Sequence, residues 1–367
     1  MGSDLVLVIV VVTALAFDFT NGFHDTANAV ATTVGTRALP PRVAVAVASI
    51  LNFVGAFVSL KVAATIGKGI VETGAVTPTV IFGALIGAIA WNLVTWWFGL
   101  PSSSSHALIG GVVGSAFAHA GSSAIQGKGI VDKVLVPGLV APVLAFVIAG
   151  ISIAIAYLVA GRLRPGPVLR GYRAGQLATS SLFALAHGTN DAQKTMGVIL
   201  LALIANGNVS ATADVPTWVI IASATAIGLG TYSGGWRIMR TVGTRIIKMD
   251  PPQGFSAQGA GASVLFTASA LGYPLSTTHV ISGAVMGAGA AKSVSAVRWG
   301  VAGNILVAWV LTLPAAAAIG AAGYGFCSIF GNGAGGPLIV VLCAAAFGLA
   351  VLNRRSPRVA ARTGAGA

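Results

Sequence analysis

Two kinds of polar motif interrupt an otherwise apolar sequence, and each kind occurs twice in the same order. An acidic motif reads Gly-Phe-His-Asp-Thr-Ala-Asn-Ala at 22–29 and Gly-Thr-Asn-Asp-Ala-Gln-Lys-Thr at 188–195. A hydroxyl-rich motif reads Pro-Ser-Ser-Ser-Ser-His at 101–106 and Pro-Leu-Ser-Thr-Thr-His at 274–279. Polar groups inside hydrocarbon are costly and are therefore typical of functional positions. Two copies in register indicate one site shared between two halves of the chain.

The hydroxyl-rich motifs have the residue types of an oxyanion site. Pro101 and Pro274 each predict the end of an incoming helix, and a new helix is expected to begin near His106 or His279. The start of a helix exposes backbone N–H groups and the positive end of its dipole, which suit phosphate or sulfate. Simple helix capping is the alternative, and it explains a single copy better than two. The candidate anion-binding residues are Ser103, Ser104, Ser105, Ser276, Thr277 and Thr278.

The acidic motifs have the residue types of a coupling-ion site. Asp25 and Asn28 are one helical turn apart, and together they offer oxygen ligands for a hard cation. The second copy has Asp191 and Lys194 in these places, so an ammonium group takes the position of a bound cation. This difference favours protons over sodium, and a purely structural ion pair is the alternative. Histidine titrates near neutral pH, so the four histidines beside the motifs are candidate proton relays or packing residues. These are His24, His106, His187 and His279.

Composition places the chain in a membrane. Of its 367 residues, 56% are hydrophobic and only 8% are charged. Apolar stretches of about 20 residues, enough for a helix to cross a bilayer, recur along the chain. The net charge of +13 is better explained by helix orientation than by nucleic-acid binding, because no soluble domain is available to hold a basic face. We therefore predict an all-α polytopic membrane protein that contacts lipid and not nucleic acid.

Eleven apolar segments are predicted, and the basic residues between them orient the chain. The segments are 4–36, 43–63, 79–99, 105–120, 136–160, 177–206, 216–235, 261–272, 279–291, 296–322 and 337–352. If each segment crosses once from an outer N-terminus, four basic residues fall outside, namely Lys61, Lys68, Lys128 and Lys133. Sixteen fall inside, a strong positive-inside bias: Arg37, Arg42, Arg162, Arg164, Arg170, Arg173, Arg237, Arg240, Arg245, Lys248, Lys292, Arg298, Arg354, Arg355, Arg358 and Arg362.

The same segments predict inverted symmetry. Each motif recurs five segments later, and an odd separation turns the second copy upside down, as in many secondary transporters. The predicted units are a first repeat (1–160), a basic cytoplasmic linker (161–175), a second repeat (176–322) and a C-terminal helix with a basic tail (323–367). Segments 105–120, 261–272 and 279–291 are short for a ~30 Å hydrocarbon core, which indicates re-entrant hairpins around the Pro breaks. The acidic motifs are expected to lie on broken helices.

These motifs resemble the paired signature of the inorganic phosphate transporter (PiT) family, in particular the bacterial low-affinity permease type. The residues that carry the resemblance are the acidic motifs and the sequence 272–279, preceded by Gly-Phe-Ser-Ala-Gln at 254–258. The resemblance implies a phosphate symporter of two inverted repeats, a homodimer, with phosphate held by the six hydroxyl residues above. It also implies cation-linked positions at Asp25, Asn28, Asn190 and Asp191. Sodium-driven members have Asn where Lys194 stands, so the similarity is closer to the proton-coupled bacterial branch, which moves phosphate often as a metal–phosphate complex.

The sequence thus predicts a proton-coupled phosphate importer in the bacterial cytoplasmic membrane, with no resident cofactor. A sulfate permease of the same family, a sodium-coupled phosphate symporter and an anion channel remain as alternatives. An enzyme is not expected, because Ser104 and His106 are two residues apart at a helix start and their side chains would diverge.

Overall fold

The computed structural model describes residues 2–160, 163–331 and 333–345. Within these ranges the chain is helical apart from loops and one isolated bridge between Val71 and Ile125. The helices are α1 (Gly2–Gly35), α2 (Pro41–Gly55), α3 (Lys61–Lys68), α4 (Pro78–Phe98), α5 (Ser104–Ala120), α6 (Gly127–Ile130), α7 (Val136–Ala160), α8 (Pro165–Ala205), α9 (Thr217–Ser233), α10 (Trp236–Arg240), α11 (Pro251–Leu271), α12 (Thr277–Ala290), α13 (Trp299–Ser328) and α14 (Gly335–Ala345).

Several of these helices have the length and composition of membrane spans. Four are both long and apolar enough to cross a bilayer, namely Asp4–Gly35, Pro78–Phe98, Gly127–Val159 and Trp299–Ser328. The third of these joins α6 and α7 through a π-helical turn, Val131–Leu135. Large apolar side chains are exposed along these helices, for example Leu139 and Val310, as expected for surfaces that face lipid. The predicted all-α multi-pass membrane protein is confirmed.

The two acidic motifs lie on unbroken helices, contrary to the sequence-based prediction. Helix α1 runs continuously for 34 residues through Asp25, and α8 runs for 41 residues through Asp191. The polar residues suggested a break, but their side chains point into a buried polar network, and the helical backbone hydrogen bonds continue past them. Helix α8 also begins inside the predicted 161–175 linker, and α2 ends earlier than the predicted segment 43–63.

The chain does break at the two hydroxyl-rich motifs, and the two breaks are built alike. Gly99 and Gly272 end α4 and α11 in the left-handed region, with φ of 66° and 80°. In each case the N–H of the glycine and the N–H of the following residue donate to carbonyls of the last helical turn, the usual glycine C-cap. Helices α5 and α12 then pack back against α4 and α11. The predicted short segment 261–272 is wrong, because α11 begins at Pro251 behind an Asp250 capping box and has 21 residues.

The long helices brace the breaks of the opposite half. Helix α13 packs on α4 and α5, whereas α7 packs on α11 and α12. Glycines permit this close approach: a Cβ at Gly114 would strike the Ala317 carbonyl, and one at Gly287 would strike the Phe146 carbonyl. Gly110 and Gly283 make the equivalent approaches one turn earlier. Both glycine pairs have the small-xxx-small spacing that lets helix backbones pack closely in a membrane.

Part of the predicted C-terminal region lies outside the described residues. Helix α14 matches the beginning of the predicted segment 337–352. Arg162 and the basic tail with Arg354, Arg355, Arg358 and Arg362 are outside the described ranges.

The close glycine contacts predict a stability test. Gly114→Ala should lower stability by about 1–3 kcal/mol, because the added methyl group meets backbone that cannot rotate away. Gly303→Ala in α13 is the matched control, since no atom lies within 4 Å of its added Cβ. Thermal melting of the purified protein, followed by size-exclusion chromatography, measures both. Equal melting temperatures for the two variants would contradict the close contact between Gly114 and the Ala317 carbonyl.

Candidate functional site

Each hydroxyl-rich motif forms the first turn of a helix. Ser103 caps α5 by accepting from the His106 N–H at 3.0 Å, and Ser276 caps α12 by accepting from the His279 N–H at 3.2 Å. These two hydroxyls therefore have the capping role that the sequence left as an alternative. The residues that follow the caps carry hydroxyls next to the unpaired N–H groups of the first turn.

The two helix starts meet in the middle of the molecule. The Ser105 hydroxyl donates to the Leu275 carbonyl at 2.8 Å, which ties the first motif to the backbone of the second. Behind this contact the rings of His106 and His279 lie edge to face at 4.9 Å, and His279 stacks on Trp309 at 3.9 Å. Two positive helix ends thus face one small, buried region.

The Asp25 carboxylate lies where the two helix starts meet, and it accepts hydrogen bonds from hydroxyl groups of both hydroxyl-rich motifs. Ser104 donates to its Oδ2 at 2.8 Å, and Thr277 donates to the same oxygen at 3.4 Å. Thr278 donates to Oδ1 at 3.3 Å, where the His24 ring nitrogen Nδ1 also lies at 2.6 Å. The carboxylate is 1% exposed, so these hydrogen bonds take the place of water around it.

Asn28 links the second motif to Asp25. Its Nδ2 donates to the Thr278 hydroxyl at 2.8 Å and, more weakly, to the Thr277 hydroxyl at 3.4 Å. Both threonines pass the hydrogen bond on to Asp25. The Oδ1 of Asn28 is buried and has no hydrogen-bond partner among the described residues. An oxygen in that state is suited to a cation or to a donor on a bound ligand.

Asp191 has a cationic partner of its own. Lys194 Nζ donates to Asp191 Oδ1 at 2.7 Å, and the lysine is fully buried. Asn21 Nδ2 donates to the other carboxylate oxygen at 3.3 Å. The predicted pairing of Asp191 with Lys194 is present, so the second acidic motif carries its counter-charge within the protein.

The two acidic motifs converge through His187. Ligand atoms of Asp25, His187 and Asp191 all lie within 4.8 Å of one another, close enough to hold one cation between them. His187 Nδ1 lies 3.1 Å from Asn52 Oδ1, and Asn52 Nδ2 donates to Thr231 at 2.8 Å. Because Asn52 donates to Thr231 through Nδ2, its Oδ1 faces His187 and accepts from the Nδ1–H of that ring. The other ring nitrogen, Nε2, then faces the Asp191 carboxylate, 3.6 Å away. A lone pair facing carboxylates is stabilised by a proton or a metal ion between them.

The remaining predicted residue, Asn190, and one further residue, Asp18, complete the surroundings of the site. Asn190 donates to the Ser269 hydroxyl and to the Tyr273 carbonyl, so it anchors the end of α11, and its Oδ1 has no hydrogen-bond partner within the described ranges. Asp18 is fully buried close to the Thr195 hydroxyl and to the Asp191–Lys194 pair. All six predicted hydroxyl residues are buried.

Sequence reasoning missed two matched clamps on the helices that lead into the motifs. Thr241 donates to the Gly99 carbonyl at 2.9 Å, and Thr65 donates to the Gly272 carbonyl at 2.8 Å. Beside them Arg237 binds the Trp97 carbonyl at 2.7 Å and Lys61 binds the Ala270 carbonyl at 2.9 Å. The only sequence signal for these clamps is a threonine four residues after a basic residue in each half.

Known proteins are similar to this chain over most of its length. Residues 21–320 match the phosphate transporter family, a range that contains all four motifs. The chain belongs to the phosphate transporter family. Two bacterial relatives are described as probable low-affinity inorganic phosphate transporters. The one from Mycobacterium bovis is 50% identical over 96% of this chain and 85% of its own length. The one from Bacillus subtilis is 48% identical over 87% of this chain and 96% of its own length.

A solved structure shares the fold of this family member. The structure described as the sodium-dependent phosphate transporter has a TM-score of 0.82 and 27% sequence identity, covering 88% of this chain and 99% of its own. Membership of a transporter family also excludes the enzyme alternative. In agreement, the Ser104 hydroxyl donates to Asp25 while the His106 ring packs on His279, so they do not form a nucleophile–base pair.

The buried Asp191–Lys194 pair predicts a double-mutant result. Lys194→Gln alone should lower stability by about 3–5 kcal/mol, because it leaves an uncompensated carboxylate in the interior. Adding Asp191→Asn should restore most of that loss, since the double variant buries two neutral amides. Thermal melting of the wild type, both single variants and the double variant gives the coupling energy. Additive losses would show that the two side chains do not act as a pair.

Proposed function

We propose that the protein imports inorganic phosphate by alternating access, coupled to protons. The observation that carries this proposal is the convergence of both hydroxyl-rich motifs on Asp25. Hydroxyl and backbone N–H donors at two helix starts suit the oxygens of a tetrahedral anion. Family membership and the names of the relatives support phosphate as that anion.

The hydrogen bonds to Asp25 supply a reason for coupling. The hydroxyls of Ser104, Thr277 and Thr278 donate to the carboxylate, and the same donors would serve a phosphate bound between the two helix starts. Two anions cannot share them at close range without strong repulsion. A proton or cation that neutralises Asp25 releases the donors and removes the repulsion. Coupling ion and phosphate therefore bind together.

The contrast between Asn28 and Lys194 supports the proton as the coupling ion. The ammonium group of Lys194 already neutralises Asp191, so the second half has less need of a sodium ion than the first. Asp25, with His24 and His187 nearby, then titrates as the coupling group. Sodium coupling is the alternative, and two observations favour it. The structural relative is described as sodium-dependent, and the amide oxygens of Asn21, Asn28 and Asn190 are buried without hydrogen-bond partners in the part of the chain that the structure describes.

A divalent metal fits as part of the substrate. Asp25, His187 and Asp191 offer two carboxylates and an imidazole nitrogen around one point. Such mixed oxygen and nitrogen ligands suit several divalent metals. A neutral metal–phosphate complex would bring its own counter-charge to the carboxylates, so it requires less compensation from the protein than the free anion.

Two architectural proposals accompany this function. The matched breaks, glycine contacts and clamps support two related repeats in the predicted 1–160 and 176–322 units, with the linker and C-terminal region joining and following them. Inversion of one repeat against the other would allow one clamp to open on each side of the membrane in turn. The homodimer rests on the family resemblance alone and stays a prediction.

Uptake under imposed gradients tests the substrate and the coupling ion. Proteoliposomes with labelled phosphate should accumulate it under an inward proton gradient and not under a sodium gradient alone. Asp25→Asn should abolish accumulation, because the variant cannot exchange a proton. Uptake driven only by sodium would refute proton coupling, uptake of labelled sulfate alone would refute the substrate, and equilibration without accumulation would indicate a channel.

Lys194→Asn tests the residue that distinguishes the two halves. The variant places a carboxamide where Asn28 stands in the first half, and phosphate uptake should then become stimulated by sodium. The stimulation is measured as the ratio of initial rates with and without sodium at constant pH. An unchanged ratio would assign Lys194 a structural role only.

The hydroxyl contacts predict a binding defect. Ser104→Ala with Thr277→Val should raise the KM for phosphate about 10- to 100-fold, because each lost donor weakens the bound anion. The control is Thr225→Val on α9, whose exposed hydroxyl bonds only the Ile221 carbonyl of its own helix. Initial rates over a range of phosphate concentrations give both constants. An unchanged KM in the double variant would place the anion elsewhere.

A further inference from the structure

A basic pocket lies outside the buried site, at the end of α4. Three arginines line it together with aromatic side chains, and no acidic side chain is among the described residues that form its wall. Its volume is about 280 Å³, enough for a phosphate group and its immediate ester substituents. Gly99 and Thr241, which are joined by a hydrogen bond, form part of its wall, and the large side chains that line the basic pocket are Trp97, Phe98, Trp236, Arg237, Arg240 and Arg245.

Arg237 is held in place by aromatic rings. Its guanidinium carbon lies 4.9 Å from the centroid of Trp96 and 4.5 Å from that of Trp97, and its Nη1 donates to the Trp97 carbonyl. Stacking and a backbone hydrogen bond pre-organise the planar group, so little side-chain entropy is lost when an anion binds. Arg240 and Arg245 are exposed on the same wall and supply further donors.

The position of the basic pocket indicates the membrane surface. It lies at the last turn of α4, one of the helices that is long and apolar enough to span a bilayer. Trp97, Phe98 and Trp236 are at least half exposed there, the usual setting of aromatic residues at the interface. The positive-inside count places Arg237, Arg240 and Arg245 on the inner side, where anionic lipids attract basic residues.

We propose that the basic pocket binds the phosphodiester headgroup of an anionic lipid in the inner leaflet. One guanidinium group can donate two parallel hydrogen bonds to the oxygens of a phosphate group. The exposed aromatic rings lie beside the lipid's glycerol and upper acyl chain. The corresponding place in the other half has Lys61 in the position of Arg237, and residues 43–161 of the sequence contain no arginine. The proposed headgroup site is therefore the arginine-lined one near Arg237. Free inorganic phosphate has the same recognition chemistry, and the experiment separates the two sources.

Lipid titration of the purified full-length protein tests this proposal. Phosphatidylglycerol, phosphatidylcholine or inorganic phosphate is added to protein in neutral detergent, and the melting temperature is followed. Phosphatidylglycerol should raise it in a saturable way, and phosphatidylcholine should not. In the Arg240→Gln/Arg245→Gln variant the midpoint of the titration should move about 30-fold to higher lipid concentration.

The control variant is Arg170→Gln/Arg173→Gln, which removes two exposed arginines from α8 on the same predicted side of the membrane. Its titration should match the wild type. An equal shift in both variants would reduce the effect to general surface charge and overturn the site. An effect of inorganic phosphate that needs Arg240 and Arg245, with none from the lipid, would assign the basic pocket to the free anion and overturn the lipid proposal.

A single-residue variant and the independence of the titration from transport complete the test. If the double variant does not fold, Arg245→Gln alone should give a smaller shift in the same direction, and no shift would overturn the proposal. The lipid titration requires no transport. It can therefore fail while phosphate uptake succeeds, or succeed while uptake fails, so the two proposals are tested separately.

Discussion

The buried carboxylate of Asp25 is the group on which the rest of the structure depends. An ionised carboxyl group without water is unstable unless hydrogen-bond donors surround it. Here the donors come from α5 and α12, which are separated by more than 150 residues in sequence. The two helix starts can reach α1 only because glycines let α13 and α7 pack directly against their backbones. Breaks, glycine contacts and clamps all serve to hold these donors around one charge.

The two halves share their geometry but not their electrostatics. Matched threonines bind the carbonyls of Gly99 and Gly272, and matched serines cap α5 and α12. The acidic motifs differ, because Asp191 has a lysine partner and Asp25 depends on hydroxyls and histidine. A nearly symmetric scaffold suits one anion bound between two halves. The asymmetric pair of charges leaves Asp25 without a lysine partner, which fits the proposed coupling through that carboxylate.

Polar residues inside a helix account for the main differences between the sequence-based prediction and the structure. The four motifs, the proline breaks and the Asp191–Lys194 contact could all be predicted, since each depends on residues within a few positions of one another. The breaks predicted at Asp25 and Asp191 were wrong. Polar side chains there make contacts within and between helices, such as Ser104 and Thr277 with Asp25, and do not interrupt their own helix. The polar first half of α11 was also missed, because an Asp250 capping box starts the helix before its apolar residues.

The sequence by itself determined the membrane class, the doubled motifs and the identity of the chemical groups. These follow from composition, from proline and glycine, and from side-chain type, which act locally. Only the tertiary structure decided that both motifs meet at Asp25, that His187 joins the two carboxylates, and that Thr65 and Thr241 clamp the helix ends. Those contacts join residues far apart in sequence. They depend on how closely the helices pack, a property that no single segment carries.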